Sequence, residues 1–305
     1  LLEGPLLIKT LGRVMSATSA SDARCSESPA ARTITSAAND DGFGSQYAAL
    51  ISVYTFAALS NLSFCRTPWR TMQHKQKAST TRQYADSMFR FVGGPRFGPL
   101  AVSSTPSKLH AYDEMDDGDG ERWVSPATRE AAAHVRRWYH AEEKPPLRWY
   151  NRTEHCSHVA LHVRLGDVSG DPNSTNYVRW TPQEAIDSCV RAALARMSRR
   201  CGRARLHVFS ERGHGHGEAD LAYLRRYRPA FHISEDVQDT FHHMVEADAL
   251  IIARSSLSQV AAYLSRSSHV FAPFNPFAQF GANRMLFART FAERLEQCGE
   301  VQAGG

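Results

Sequence analysis

No stretch of the 305-residue chain comes close to the ~20 consecutive apolar residues that a membrane-spanning helix needs. The N-terminal "LLEGPLLIKTLGRVM" is interrupted by Glu3, Pro5 and Lys9 and does not change that. None of the six cysteines (Cys25, Cys65, Cys156, Cys189, Cys201, Cys298) falls in a CxxC spacing. That argues against a zinc ribbon or a redox dithiol, while an even number permits disulfides without requiring them. There is no GxSxG elbow and no HExxH pair, so the hydrolases built on those motifs have no support. Charge of one sign is also scarce: 36 Lys and Arg stand against 31 Asp and Glu, a net +5, and no basic block interleaves with aromatics. Nucleic acid is therefore not an expected partner, whereas a small anionic ligand is compatible. The composition does supply a core, since 42 % hydrophobic and 22 % charged residues are ordinary for a globular chain. The length suits two domains of ~100–200 residues each.

The most informative stretch is "HVALHVRLGDVSG", His158 to Gly170. Val159, Leu161 and Val163 alternate with Ala160, His162 and Arg164, a period of two that predicts a strand over Val159–Arg164. His162 and Arg164 then share a face, and Gly166 ends the strand, leaving Arg164 and Asp167 at its carboxyl end. Open α/β sheets place their ligands there. A guanidinium donates bidentately and stays charged, which suits a diphosphate. The alternative is an arginine paired with its neighbour Asp167 on a solvated loop.

Three regions are expected: an irregular lead-in or tether over residues 1–38, a first domain over 39–150, and a second over 151–305. The lead-in is small and polar, "SATSASDARCSESPAARTITSAA" in its later part. A glycine turn, an apolar helix from Tyr47 to Leu59 and a short strand Leu62–Arg66 follow. "KPPLRWYNR" reads as the break between domains. Beyond it, "TPQEAIDSCVRAALARMSRR" predicts a helix with Thr181 as cap, Pro182 at its first position and Glu184 completing a capping box. Strands "RLHVFS", "AFHIS", "ALIIA" and "HVFAPF" alternate with helices "EADLAYLRRY", "DTFHHMVEAD" and Leu257–Leu264, and a last helix is expected over Ala282–Gln297. Alternation of this kind predicts a parallel sheet with right-handed crossovers.

Two further segments put backbone N–H groups at a helix start, where an anion is favoured. "DGFGSQY" (Asp41–Tyr47) has no third glycine of a dinucleotide fingerprint and no GK[ST]. It is open to reading as a plain helix cap. "ARSSLSQVAAYLS" (Ala253–Ser265) places Ser255 and Ser256 between a buried strand and a helix, again either an anion site or a serine cap. The acidic "DDGDGE" (Asp116–Glu121) and the histidines of "HGHGE" and "FHHM" lack ligands at matching spacing, and no metal is expected.

Three blocks in order, "GFGSQYAALISVYTFA", "HVRLGD" and "SEDVQDTFHHMVEADALIIARSSLSQVAAYLS", resemble the GDP-fucose-dependent fucosyltransferases, the group of α1,6-, α1,2- and protein O-fucosyltransferases. The resemblance spans residues ~40–265. It implies an α/β chain of two Rossmann-like domains facing a cleft (GT-B-like), with GDP-fucose as donor, no cofactor or metal, and a glycan or glycoprotein hydroxyl as acceptor. It implies that Arg164 grips the β-phosphate, with Asp167 orienting it and His162 near the guanine. Asp239 would read the base edge, and Ser255 and Ser256 would bond phosphate oxygens. A turn of Gly42, Phe43, Gly44, Ser45 and Gln46 would close over the diphosphate. The basic residue that follows the first arginine in the α1,6 branch is here Leu165, so Asp171 becomes the candidate base. The family habit implies the Golgi or secretory lumen, or the cytoplasm for a bacterial or viral member. Sequons at Asn61, Asn151 and Asn173 fit the former, and a chain opening on Leu1 leaves room for an upstream membrane anchor. The rivals are a catalytically silent binding protein of the same fold and a transferase using another nucleotide sugar.

Overall fold

Thr33–Thr35, inside the stretch whose composition predicts an irregular lead-in, form strand β1 and pair in parallel with β2, Ser63–Cys65. Composition misses so short a strand because its stability comes from the pairing. Between them runs helix α1, Phe43–Leu59. It begins four residues before the expected start, so Phe43, Gly44, Ser45 and Gln46 are its first turn rather than a loop. Tyr47, Leu50, Ile51 and Tyr54 are all buried, which is why the helix is apolar nearly all round. Helices α2 (Thr81–Phe91) and α3 (Pro126–Ala141) complete this part. The Tyr54 ring packs against Trp138 and Phe64, and its hydroxyl meets His134 Nδ1 at 2.8 Å.

The computed structural model describes residues 33–35, 42–59, 63–65, 69, 81–94, 126–154, 157–168, 170–171, 173–174, 177–213, 217–275 and 294–298. The chain divides into two units, Leu1–Glu143 and Lys144–Gly305. The "DDGDGE" run and both histidines of "HGHG" (His214 and His216) lie outside the described residues.

The second unit holds a six-stranded sheet of β3 (Ser157–His162), β4 (Ala204–Ser210), β5 (Ala230–Ile233), β6 (Ala249–Ile251), β7 (Val270–Ala272) and β8 (Leu295–Gln297). All pairings are parallel and the order is β5-β4-β3-β6-β7-β8. This is the strand order of the doubly wound nucleotide-binding fold, which reverses direction between β3 and β6. Helix α4 (Gln183–Cys201) follows β3, α5 (Val237–Val245) precedes β6, and α6 (Ser256–Leu264) follows it. The face toward α4 is apolar, with Val159, Leu161, Val208 and Ile251 packed on Ile186, Val190 and Met197. Cys189 in α4 is disulfide-bonded to Cys298 just past β8, with Cα atoms 4.9 Å apart.

Several boundaries differ from expectation. All six residues of β3 are buried, so its alternation of valine with alanine and histidine reflects two different buried faces rather than one wet and one dry. The strand ends at His162, which places Arg164 in the loop beyond it. Pro182 is the cap of α4 and makes no side-chain cap bond, so Thr181 lies outside the helix. Glu218–Tyr227 is a 3₁₀ helix rather than an α-helix. Leu295–Gln297 is a strand where the last turn of a helix is expected, because pairing with β7 overrides the local preference. The rest of that expected helix lies outside the described residues.

The other face of the sheet carries a buried layer of imidazoles. Register sets Ala160 beside His207 and Phe209 beside His232, so His158, His207 and His232 become diagonal neighbours on one face. His158 Nδ1 meets His207 Nε2 at 3.0 Å, and His207 Nδ1 meets His232 Nε2 at 3.0 Å. Tyr150 stacks on His158, and the Trp149 ring lies 4.3 Å from His232 and 4.2 Å from His243. Burial holds His207, His232 and His243 neutral: first desolvation, then the neighbouring imidazoles and Arg205, push His207 down to about 2. Desolvation also leads for His232 and His243, each pushed down to about 4.

Candidate functional site

The chain leaves β3 through Val163, whose N–H still bonds the Phe209 carbonyl. The loop beyond is fixed by a close approach of backbones. A Cβ on Gly166 would lie 2.5 Å from the Glu211 side chain, and one on Gly213 would run into the Gly166 carbonyl oxygen. Glycine at position 213, facing the Gly166 backbone, is what lets the β3 and β4 loops touch. That contact sets where Arg164 stands.

Arg164 is clamped by Asp167. Its Nε donates to Oδ1 at 2.7 Å and its Nη2 to Oδ2 at 2.6 Å, with both side chains largely covered. The pairing expected of a solvated loop is therefore present, on a loop that is not solvated. Arg179 Nη1 approaches the same carboxylate at 3.6 Å. One carboxylate beside two guanidinium groups leaves the cluster positive, and Arg164 Nη1 has no partner among the described residues.

Arg164 lines a cavity of about 90 Å³. His162, Arg164, Ala253 and Pro273 reach it from the carboxyl ends of β3, β6 and β7, and Trp180 and Tyr223 close it from the other side. It thus stands at the reversal point between β3 and β6, where doubly wound sheets bind their ligands. His162 is 9 % exposed and its Nδ1 is buried with no hydrogen-bond partner. Burial, then the charge of Arg164, push its pKa down to about 3, so the ring is neutral at ordinary pH. A guanidinium with an open N–H and a neutral imidazole with an unsatisfied nitrogen form a site for a group that both accepts and donates. The volume suits a phosphate-sized group. It is well below the ~300–1,000 Å³ of a pocket enclosing a whole ligand.

The other expected residues stand elsewhere. Ser255 is the cap of α6, 6 % exposed, and makes no side-chain cap bond; Ser256 opens the helix. They stand two and three residues past Ala253 and are not among the residues that line the cavity. Ser258 takes the local role instead, its Oγ accepting the Ala253 N–H at 3.0 Å. Asp239 lies in the first turn of α5, engaged by Arg148 at 2.5 Å, and is not part of the lining. Asp171 is exposed, and its Oδ1 accepts from the N–H and Nδ2 of Asn173 at 2.9 and 3.0 Å. Gly42 to Gln46 belong to the first unit. The Ser45 and Gln46 N–H groups are spent on the Gly42 carbonyl, and Phe43 and Gln46 are buried. That is helix-start geometry under an aromatic cluster, not an open loop.

Sequence reasoning missed Arg254 although it stands within the quoted "ARSSLS". Its Nη1 donates to the Val178 carbonyl at 3.1 Å, its guanidinium lies over the Phe274 ring, and its buried Nε has no partner. Burial lowers its pKa. The available signal was an arginine directly after a buried strand. Trp180 and Tyr223 carried no such signal, because a 3₁₀ turn and a 3₁₀ helix bring them to the cavity.

Among the described residues, no group of three or more His, Cys, Asp or Glu is placed to hold a metal ion, and no helix is long and apolar enough to cross a membrane. No protein-family model matches the chain, and no curated protein matches it.

Proposed function

We propose that the chain is an inverting fucosyltransferase that moves fucose from GDP-fucose to a glycan or protein hydroxyl, with two Rossmann-like domains facing a cleft in the GT-B manner. The observation that carries this reading is the braced Arg164 beside the unsatisfied, neutral His162 in a phosphate-sized cavity at the β3–β6 reversal point. The order of the three sequence blocks supports the choice of donor.

In this reading the diphosphate of the donor enters the cavity, and the nucleoside and sugar extend beyond its 90 Å³. Arg164 Nη1 donates to a β-phosphate oxygen while Asp167 holds the guanidinium plane in register. The acceptor hydroxyl attacks C1 of the fucose and its proton goes to a base. The bond from C1 to the β-phosphate oxygen breaks, and GDP departs with the electron pair. Arg164 meets the charge that grows on that oxygen, which is where preorganised donors lower a barrier most. His162, neutral above about pH 3, adds a hydrogen bond without competing for the anion. No metal is invoked. Asp171 is the base of this proposal: it is exposed and one residue past Gly170 of the lining. A secretory-lumen setting is part of this proposal, and the disulfide between Cys189 and Cys298 supports it.

A second reading, a binding protein of the same fold without catalysis, is favoured by one observation. Among the described residues the one carboxylate in the lining, Asp220, accepts the Gly217 N–H at 2.8 Å, and Asp171 is not part of that lining. GDP release from GDP-fucose over a panel of glycan acceptors separates the two. Transfer that falls more than ~100-fold in Asp171→Asn while GDP affinity holds supports the transferase and its base. GDP binding with no transfer to any acceptor establishes the silent protein.

A further inference from the structure

Tyr177 and Val178 are the large apolar side chains left exposed among the described residues, at 38 % and 66 %. They sit in the 3₁₀ turn Tyr177–Arg179. The Tyr177 ring lies nearly parallel to Trp180, 13° between planes and 6.2 Å between centroids, the offset arrangement aromatic pairs favour. Trp180 in turn lines the Arg164 cavity. Its indole rests over Gly170, where a Cβ would come within 3.3 Å of the ring.

The turn is held rather than loose. Arg179 reaches Asp167, the carboxylate that braces Arg164. From the other side, Arg254 donates to the Val178 carbonyl. The Trp180 N–H bonds the Tyr177 carbonyl at 2.9 Å, and the Tyr177 N–H bonds the Ser174 carbonyl at 3.0 Å. An apolar surface that is fixed in place and uncovered marks a contact site. This one is continuous with the cavity.

We propose that the outer face of Tyr177, backed by Trp180, is a stacking platform for a pyranose ring of the acceptor, beside the donor diphosphate. The polarised C–H face of a pyranose is attracted to the negative face of an aromatic ring, and the hydroxyls at its edge need carboxylate and amide partners. Asp171 and Asn173, both exposed and bonded to each other, stand six and four residues before the turn and supply them. A phosphorylated ligand does not fit this surface as well. The cations of the turn are engaged, Arg179 by Asp167 and Arg254 by the Val178 carbonyl, and Asp171 adds a negative charge.

The platform rests on the donor reading above, and the test keeps the two apart. The full chain is probed by saturation-transfer NMR with N,N′-diacetylchitobiose, lactose and methyl β-glucoside, with and without GDP, alongside Tyr177→Ala and Tyr177→Phe. The expected result is transfer to the ring C–H protons of at least one saccharide. Tyr177→Ala weakens that binding ~10-fold or more and Tyr177→Phe retains it, while GDP affinity stays within about twofold. No saccharide signal from the wild type overturns the platform, as does a signal that Tyr177→Ala leaves intact. A fall in GDP affinity in Tyr177→Ala also overturns it, by giving the stack to the donor base. Absent GDP binding in the wild type contradicts the donor reading instead, and the arm without GDP still decides the platform.

Discussion

His158 and His162 stand four residues apart on one strand and on one face of it, yet they do different things. His158 is at the inner end, bonded to His207 and stacked under Tyr150. His162 is at the carboxyl end, 9 % exposed against 0 % for His158, and its Nδ1 is buried without a hydrogen-bond partner. Burying a polar atom unpaired costs of the order of 1–3 kcal/mol. Each imidazole of the layer bonds another through at least one ring nitrogen, whereas His162 at the rim of the cavity bonds none of them. The lesson is that the same residue type, on the same strand, is structural where register supplies a partner and a candidate for ligand contact where the sheet ends.

The largest expected effect is on the interior. His162, His207, His232 and His243 all sit below the ordinary 6.5, at about 3, 2, 4 and 4. Above pH 6.5 both folded and unfolded chains hold them neutral, so they contribute no pH dependence. Below 6.5 the unfolded chain takes protons that the folded one refuses, and stability falls by about 1.4 kcal/mol per pH unit for each such proton. Asp187, lowered by its bonds to Arg226 and Tyr227 despite the opposing effect of burial, loses its contribution only below its ordinary 3.8, and so does not act in this window. Thermal melting is expected to drop steeply from pH 6.5 to pH 4. A flat profile there would mean the layer is open to water.

A pair of substitutions sharpens the contrast. His207→Phe leaves His158 and His232 without their shared partner and is expected to lower stability by about 1–3 kcal/mol. It also flattens the acid slope by about one proton. His162→Phe removes an unsatisfied nitrogen and is expected to change stability by less than ~1 kcal/mol while weakening GDP binding. Denaturant melts at pH 7.5 check both, and equal losses would erase the distinction. The smallest effect is expected of Gly166→Ala, whose Cβ would push Glu211 aside. It should cost about 1 kcal/mol and loosen the Arg164 loop, read as a modest loss of GDP affinity.

The doubly wound sheet was legible because its strands are short apolar runs spaced by helices, and length with flanking glycine and proline separates them. Arg164 and Asp167 were legible for the same reason, as they follow the clearest strand. The imidazole layer was not. His158, His207 and His232 are distant in sequence, and only the β3–β4–β5 register lines them up. Trp180 and Tyr223 were hidden by 3₁₀ geometry, which has no strong pattern of its own. Asp239 rests on motif likeness alone; in the structure Arg148 engages it, and it is not among the residues of the cavity lining.

The most direct test of the central claim is a thermal-shift titration of the wild type and Arg164→Ala with GDP, UDP and ADP, with and without EDTA, because a ligand raises stability by mass action. The account predicts a shift selective for GDP, indifferent to EDTA, and weakened ~10–100-fold in the variant, the loss of one or two charge-assisted hydrogen bonds. A GDP shift that survives Arg164→Ala, or no shift with any nucleotide, would contradict it.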